Sequence, residues 1–271
     1  MAGLIGVAAE SLAATLFPAD CRLCRAPLIH LSRLPVCPEC LAQVVPISGP
    51  VCAVCGERLF SPHAAAASVP LCGMCGRAAP PYVKAVAFGG YDGNLRELIH
   101  LLKYERVLPA AQVLGEYLAG ALEGLGTELT ERPVLVPVPL DQERLRERGF
   151  NQAERIAEAA LGRLRVRGRE WHQVELNAGA LRRVRATLSQ TGLTRHQRRA
   201  NLRGAFSVPR PEAVAGRDVV VVDDVFTTGT TASECARVLR RAGARSVFVA
   251  TVARVMKGEG GSLSQGPKPQ A

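Results

Sequence analysis

The sequence predicts an α/β fold in which a mainly parallel sheet is flanked by helices and preceded by a small cysteine-rich module. Three observations support this prediction. Eight of the nine cysteines lie in four Cys-x-x-Cys pairs before residue 76. After them, continuous apolar segments alternate with segments of helical periodicity, as in parallel sheets covered on both faces. The 271 residues are enough for one ordinary domain and a smaller unit.

The first seventeen residues are apolar, but they lack the features of a signal peptide. They carry no basic n-region, and Glu10 falls in their middle. No apolar run in the chain approaches the roughly 18 residues that span a bilayer. We therefore expect a short amphipathic helix over 1–17, no membrane span and a cytoplasmic location, where thiols stay reduced.

The four cysteine pairs have the spacing of metal-binding knuckles. A two-residue gap lets both thiolates of a tight turn reach one ion, and two such turns complete a tetrahedral zinc site. Pairing in sequence order predicts two structural zinc sites, while an interleaved arrangement or a single site stays open. Disulfides are disfavoured in a reducing cytoplasm, and a thioredoxin-like redox motif needs one pair rather than four. The predicted ligands are Cys21, Cys24, Cys37, Cys40, Cys52, Cys55, Cys72 and Cys75.

A strand and two helices are predicted after Pro80-Pro81. Residues 82–91 alternate apolar and polar side chains, as a strand does. Residues 94–104 carry leucines at helical spacing, and 110–122 repeat the pattern. Lys103 stands near the end of the first of these helices, where a surface lysine on an amphipathic helix is one reading.

The second half of the chain continues the alternation. PVLVPVPL at 133–140 predicts a strand that ends in a Pro-x-Pro turn, and an arginine-rich loop and a helix over about 151–164 follow. VVVVDD predicts a buried strand, 230–241 a helix and 246–254 a last strand. Cys235, on the helix 230–241, is predicted to be a core residue.

Two adjacent carboxylates follow the buried strand, and a threonine-rich loop follows them. Ligands of open α/β sheets bind beyond the carboxyl ends of the strands, where Asp223 and Asp224 are expected. Thr227, Thr228, Gly229, Thr230 and Thr231 then run into a helix N-terminus, whose free amides and dipole favour a phosphate. Carboxylates accept hydrogen bonds from ribose hydroxyls or hold Mg²⁺. The pattern therefore indicates a site for a ribose 5-phosphate.

The net charge of +10 is concentrated between Asp141 and Arg203, where fifteen arginines face seven acidic residues. Guanidinium groups bind phosphate oxygens in bidentate geometry, so the composition indicates a polyanionic ligand. Composition does not choose between a small phosphorylated molecule and nucleic acid. An ordinary solvated helical face would also account for part of this charge.

The stretch VVVVDDVFTTGTT resembles the phosphoribosyl pyrophosphate binding motif of type I phosphoribosyltransferases. The resemblance implies that Asp223 and Asp224 contact the ribose hydroxyls and that 227–231 hold the 5-phosphate. Other phosphate-handling families differ here: a HAD-type phosphatase needs D-x-D after its strand, and a response regulator places its acidic pair on a different strand from the acceptor.

The arginine-rich segments and the cysteine knuckles together are similar to the ComF family, bacterial proteins linked with natural competence. This resemblance covers about residues 17–254. It implies a double zinc-ribbon module over 18–79 and a phosphoribosyltransferase-like domain over 80–256. The composition of 257–271, rich in Gly, Ser, Pro and Gln, predicts a disordered tail. It also implies that Lys103-Tyr104 belongs to the family pattern, and that 182–203 form a loop which closes over the substrate. The residues implied on the pyrophosphate side are Pro137, Val138, Pro139, Arg144, Arg146, Arg148 and Asn151.

The resemblance implies transfer from phosphoribosyl pyrophosphate with Mg²⁺ and arginines neutralising the departing diphosphate. Arg182 and Arg183 are the leading candidates in the closing loop. No sequence feature identifies the acceptor nucleophile. A second hypothesis is a non-catalytic factor that binds single-stranded DNA during uptake, together with competence proteins, and uses the pocket for sensing. Aromatic residues are only 4% of the chain, so a base-stacking platform is not evident.

Overall fold

The computed structural model describes residues 19–28, 32–126, 128–129, 132–167, 173–185 and 195–256. The helix expected over 1–17 and the tail expected over 257–271 lie outside the described residues, as does the middle of the segment 182–203. Among the residues described, no helix is long and apolar enough to cross a bilayer.

The cysteine-rich part consists of tight turns and short helices. Antiparallel bridges from Asp20 to Pro27 and from Val51 to Arg58 enclose the first knuckle of each predicted zinc site. Three short helices follow in this part of the chain: α1 (Pro38–Ala42), α2 (Pro62–Ala65) and α3 (Gly73–Arg77). Cys37 caps the start of α1 and Cys72 the start of α3. Each site therefore combines one turn knuckle with one knuckle at a helix start.

The sheet contains five parallel strands in the order β1-β7-β6-β2-β3. A separate antiparallel ribbon pairs β4 with β5. The strands of the described residues are β1 (Ala85–Gly90), β2 (Val134–Pro137), β3 (Glu175–Leu176), β4 (Arg182–Arg183), β5 (Phe206–Ser207), β6 (Asp218–Phe226) and β7 (Ser246–Arg254).

Helices cover both faces of this sheet. The helices of this part of the described residues are α4 (Gly93–Lys103), α5 (Ala110–Glu123), α6 (Gln142–Arg148), α7 (Gln152–Val166), α8 (Arg195–Leu202) and α9 (Thr230–Arg241). On one face, α4, α5 and α7 share a hydrophobic cluster with the even-numbered valines of β6. On the other face, α9 shares a cluster with the odd-numbered ones. The predicted parallel sheet between helices is therefore confirmed.

The central strand β6 shows why the apolar run is continuous. Val220 and Val222 point into one cluster, and Val219 and Val221 into the other. All four are fully buried, so neither face of the strand accepts a polar side chain. Cys235 on α9 is also fully buried, which confirms the prediction that it is a core residue.

Two elements differ from the sequence prediction. Residues 142–148 form the helix α6 where an arginine-rich loop was expected, because Asp141 caps its start by accepting a hydrogen bond from Arg144 N at 3.0 Å. Gly149 ends the helix at a φ of +81°. Arg182 and Arg183 lie in the ribbon with β5, a pairing that joins distant residues through strands of only two residues each.

Candidate functional site

The candidate site lies at the carboxyl edge of the sheet, where β6 extends beyond its neighbour β2. The last residue of β2, Pro137, pairs with Val222, so the two aspartates lie past the end of β2. On its other side, β6 stays paired with β7 as far as Phe226. The apolar pattern predicted that the strand ends at Asp224, but β6 continues to Phe226 because β7 continues to pair with it.

Because side chains alternate along a strand, the two aspartates point to opposite faces of the sheet. Asp223 follows Val221 towards the α9 face, and Asp224 follows Val222 towards the α7 face. The carboxylates are also linked through the backbone, since Asp224 N donates to Asp223 Oδ1 at 2.9 Å. The structure thus gives the adjacent acids two different environments.

Asp223 is half-buried and lines a cavity under the threonine loop. Burial, followed by the negative charge of Asp224, raises the pKa of Asp223 well above its usual value. The cavity has a volume of about 20 Å³, which is about one water molecule. It is lined by Val138, Val221, Asp223, Val225, Phe226, Thr227, Gly229, Thr231, Ala232, Val249 and Thr251. A sugar phosphate is therefore too large to fit inside this cavity.

Asp224 is only 3% exposed and is held by two side chains. Its Oδ2 pairs with Lys103 Nζ, and its Oδ1 accepts from Gln152 Nε2 at 3.0 Å. Burial alone would raise the pKa of Asp224, but the charge of Lys103 and these hydrogen bonds lower it below its usual value. Burial likewise opposes the charge of Lys103, whose pKa the charge of Asp224 nevertheless raises.

The threonine loop leads directly into α9. Gly229 precedes the helix with a φ of +72°, and the ring of Phe226 occupies the space in which a Cβ atom would lie. Thr228 Oγ1 and Thr230 Oγ1 lie 2.8 Å apart. The first amides of α9 have no intrahelical acceptors by the geometry of a helix, and they carry the positive end of its dipole. The loop and helix start thus provide amide and hydroxyl donors at one point.

The segment after β2 is held against the start of α7. Val138 N donates to Val222 O at 2.9 Å, and Val138 O accepts from Asn151 Nδ2 at 3.1 Å. Asn151 also caps α7 by accepting from Ala153 N at 3.1 Å. Asn151 therefore joins the predicted pyrophosphate segment, Pro137 to Pro139, to the helix that carries Gln152.

Asp141 brings three predicted regions together. Its Oδ2 lies 3.5 Å from Arg144 Nε and 3.6 Å from Arg183 Nη1. Arg183 is largely buried, with its guanidinium 5.8 Å from the centre of the Phe206 ring, and burial lowers its pKa. Arg182 is exposed on the other side of the ribbon. Of the two arginines predicted for the closing loop, Arg183 is the one that the structure brings to α6.

Arg148 connects α6 to the buried acid. It donates to Gln152 Oε1, and its guanidinium lies 5.8 Å from the centre of the exposed Tyr104 ring. Burial lowers the pKa of Arg148. A chain of polar contacts therefore runs from Arg148 through Gln152 to Asp224 and Lys103.

Sequence reasoning underestimated Lys103 and missed Gln152 and Asp141. Lys103 lies four residues after the buried Ile99, on the apolar side of α4, so it is not a surface lysine. Gln152 likewise lies four residues before the buried Ile156 on α7. A polar residue that falls on an apolar helical stripe was the available signal for both.

The cysteines form two four-residue groups in sequence order, one from Cys21 to Cys40 and one from Cys52 to Cys75. Within each group the sulfur atoms all lie within 4.8 Å of one another. The distances Cys21–Cys40, Cys24–Cys37 and Cys55–Cys72 are 3.9, 3.7 and 3.6 Å. A tetrahedral ion with Zn–S bonds of about 2.3 Å requires sulfurs about 3.8 Å apart. The two sites therefore fit structural zinc, and pairing in order is confirmed.

The comparisons with known families match both halves of this arrangement. Residues 12–76 match the family described as "Double zinc ribbon domain", and residues 175–264 match "Phosphoribosyl transferase domain". The first match contains all eight cysteines of the two sites, and the second contains Asp223, Asp224 and the threonine loop.

Similar proteins cover most of the chain. "DNA utilization protein YhgH" of Escherichia coli K12 is 35% identical over 243 residues, which cover 88% of this chain and 98% of that protein. "Competence protein F" of Haemophilus influenzae is 31% identical over 239 residues, 86% of this chain and 96% of that protein. "Ribose-phosphate pyrophosphokinase 2" of Archaeoglobus fulgidus is 34% identical over 92 residues, 33% of this chain and 34% of that protein. The first two of these relatives match at 31–35% identity over nearly their full length, and the chain contains a double zinc ribbon and a phosphoribosyltransferase domain. The chain therefore belongs to the ComF family.

Proposed function

We propose that this chain binds phosphoribosyl pyrophosphate across the carboxyl edge of its sheet and acts as a phosphoribosyltransferase linked to DNA uptake. The observation that carries this proposal is the shared cavity of Asp223 and the threonine loop. The carboxylate of Asp223 can accept hydrogen bonds from sugar hydroxyls, and the amides and hydroxyls of the threonine loop can donate hydrogen bonds to a phosphate. Both sets of groups border the same small cavity, and the ligand would lie above it, across the strand ends. A ribose 5-phosphate carries both complementary groups.

The two aspartates take different roles in this proposal. Asp223 faces the cavity and contacts the ribose hydroxyls directly. Asp224 is already paired with Lys103 and bonded to Gln152, so it orients these side chains and reaches the sugar only at its edge. The sequence resemblance implied that both aspartates contact the ribose, whereas this proposal assigns the main contact to Asp223.

The diphosphate end of the ligand lies on the side of α6. There α6 carries Arg144 and Arg148, and Asp141 at the start of α6 holds Arg183 close by. Departure of pyrophosphate leaves positive charge on the ribose ring. The protein contributes by orienting the two groups and by stabilising the negative charge of the leaving diphosphate. Excluding water from the ring protects it from hydrolysis.

Mg²⁺ accompanies phosphoribosyl pyrophosphate in this proposal and neutralises the charge of the diphosphate. The donor set agrees with such an ion, since Mg²⁺ in phosphate sites is held by one or two carboxylates together with substrate oxygens. Asp223 is the carboxylate that lines the cavity.

The names of the relatives support the biological setting. Two contain the words DNA utilization and competence, and the third refers to a ribose phosphate. We propose a cytoplasmic role during DNA uptake, in contact with competence proteins. A non-catalytic single-stranded DNA-binding factor that senses nucleotides is the second candidate, and the same relatives' names favour it.

Isothermal titration calorimetry with phosphoribosyl pyrophosphate and Mg²⁺ tests the proposal. We expect saturable binding to the wild-type protein and an affinity about 10- to 100-fold weaker for Asp223→Asn, because a hydrogen bond to a charged group contributes about 1.5–3 kcal/mol. Release of pyrophosphate in the presence of a panel of nucleobases then tests turnover.

The matched control is Glu212→Gln, which neutralises an exposed carboxylate away from the site. It should bind like the wild type. No binding of phosphoribosyl pyrophosphate to the wild type, combined with salt-dependent binding of single-stranded DNA, would reject the transferase and favour the second candidate. Binding without pyrophosphate release for any acceptor would support the sensing role.

A further inference from the structure

Arg254, the last residue of β7, is a buried arginine that contacts the second four-cysteine site. It is 4% exposed. Its Nη1 donates to Cys55 O at 2.5 Å, and its Nη2 donates to Glu57 Oε2 at 2.8 Å and lies 3.9 Å from Cys55 Sγ. The guanidinium therefore contacts both the backbone and the side chains of the turn that carries Cys55, one of the predicted metal ligands.

The same guanidinium also lies over the ring of Phe226. Its central carbon is 4.6 Å from the centre of the Phe226 ring, a cation–π distance. Phe226 and Arg254 are also paired across β6 and β7, and Val255 N donates to Phe226 O at 2.9 Å. Phe226 is thus fixed both by its side chain and by its backbone.

Phe226 in turn supports the threonine loop. A Cβ atom at Gly229 would lie 2.7 Å from Phe226 Cζ and 3.4 Å from Tyr82 Oη, so the loop backbone rests directly on these two rings. Tyr82, which is buried, meets Phe226 edge to face with their centres 6.3 Å apart. A continuous contact path therefore runs from Cys55 through Arg254 and Phe226 to Gly229.

We propose that Arg254 and Phe226 are positioning residues through which the second four-cysteine site holds the loop 227–231 in the conformation that binds a phosphate. The inference rests on the proposed function for the identity of the ligand, a sugar with a 5-phosphate. It makes metal occupancy at Cys52, Cys55, Cys72 and Cys75 a condition for phosphate binding. The ring of Phe226 orders the backbone amides, and the guanidinium orders the ring.

The first four-cysteine site offers a natural comparison. Cys21, Cys37 and Cys40 pack into the hydrophobic cluster of the α7 face, whereas Cys52 and Cys55 share a cluster with Phe226 on the α9 face. The threonine loop lies against the second cluster. Loss of metal from the first site should therefore leave the loop 227–231 unchanged.

Hydrogen exchange of the peptide 226–232, measured by mass spectrometry without ligand, tests the positioning role directly. We expect at least about tenfold faster exchange in Arg254→Lys and Phe226→Leu, with the zinc content of the protein unchanged, because a lysine cannot span two acceptors and cover a ring at once. Cys75→Ser should accelerate exchange in the same peptide, and Cys24→Ser should not.

Exchange of the β2 peptide, 134–137, is the internal reference for global unfolding. An equal acceleration in both peptides, no acceleration in the Phe226→Leu variant, or the same response to Cys24→Ser as to Cys75→Ser would overturn the inference.

Calorimetry separates this inference from the ligand assignment. Arg254→Lys and Phe226→Leu should weaken ribose 5-phosphate binding at least about tenfold and leave pyrophosphate binding unchanged, since pyrophosphate is proposed to sit beside α6. If the loop peptide responds as expected but the wild type binds no ribose 5-phosphate, the positioning role stands and the proposed ligand is wrong. If ribose 5-phosphate binds and its affinity is unaffected in both variants, the positioning role is wrong.

Discussion

Asp223 and Asp224 are neighbours in the chain but belong to different parts of the molecule. The alternation of side chains along β6 sends Asp223 to the cavity and Asp224 to a buried pair with Lys103. The positive charge of Lys103 lowers the pKa of Asp224, whereas burial, followed by the negative charge of Asp224, raises the pKa of Asp223. On one side of the sheet, Lys103 offsets the negative charge of Asp224. On the other side, Asp223 lines the cavity and has no such partner lysine among the described contacts.

The ion pair of Lys103 and Asp224 predicts a large stability effect. Lys103→Met leaves a carboxylate buried without its counter-charge, which costs about 3–5 kcal/mol. Because the folded-state pKa of Asp224 is lowered, its contribution is complete above the unfolded value of about 3.9 and is lost as the pH falls further. In the Lys103→Met variant, burial without the lysine instead raises the pKa of Asp224, so the buried carboxyl takes up a proton as the pH falls and the penalty shrinks. The difference in the free energy of unfolding between variant and wild type, measured in urea, should therefore be larger at pH 7 than at pH 4.

Lys84→Met is the matched control for this measurement. Lys84 pairs with Glu128 at 2.5 Å, but their side chains are 29% and 37% exposed. Solvent screens such a pair, so its loss should change the free energy of unfolding by about 0–1 kcal/mol. Equal effects of the two substitutions, or an effect of Lys103→Met that does not depend on pH, would contradict the description of Asp224 as a buried ionised group.

Individual site residues differ in how far the sequence could predict them. The acids, the threonines and the cysteine pairs stand in short motifs whose chemistry can be read locally. The partner of Asp224 could not be predicted in this way, because Lys103 lies on a separate helix far away in the chain. Its identity depends on how α4 and α7 pack over the end of β6.

At the scale of elements, the threonine loop combines two requirements that only glycine meets at position 229. The φ of +72° disfavours a side chain, and the Phe226 ring occupies the space of a Cβ. Gly229→Ala should destabilise the protein by about 2–5 kcal/mol, of which about 1–2 kcal/mol arises from the left-handed backbone and about 1–3 kcal/mol from overpacking. Thermal unfolding measures the total.

Gly149 separates the two contributions. It ends α6 at a φ of +81°, and nothing lies within 4 Å of a Cβ built there. Gly149→Ala should therefore cost only the backbone part, about 1–2 kcal/mol. If Gly229→Ala is no more destabilising than Gly149→Ala, Phe226 does not pack against the loop as the structure describes.

The long elements were the most predictable ones. The helices α4, α5, α7 and α9 and the strands β1, β2, β6 and β7 all follow apolar patterns of at least one clear period. The short helix α6 carries its signals in its caps, Asp141 and Gly149, rather than in an apolar face, so its charge pattern was mistaken for a loop. The ribbon β4–β5 has no local signal, since each strand contributes two residues.

At the scale of the whole molecule, the zinc-ribbon part is packed into the sheet domain on both faces. The first site shares a cluster with Leu95 and Leu98, and the second shares one with Tyr82 and Leu239. A backbone hydrogen bond of 2.7 Å joins Ala85 N, at the start of β1, to Val54 O, between Cys52 and Cys55 of the second site. The domain limits at residues 18, 80 and 256 stay predictions, but these contacts indicate that the two parts stabilise each other.

Zinc removal therefore should affect the unfolding of the entire chain. Structural zinc contributes folding free energy, and each four-cysteine site shares its hydrophobic cluster with the sheet. After chelation, differential scanning calorimetry should show one transition at a temperature lower by at least about 5 °C, given that 1 kcal/mol corresponds to about 2–4 °C at this size. Restoring zinc, but not Mg²⁺, should reverse the shift. Two separate transitions, the upper one with a midpoint unchanged by chelation, would contradict this prediction. They would mean that the zinc-ribbon part and the sheet domain unfold independently, so that the contacts between them add no cooperativity.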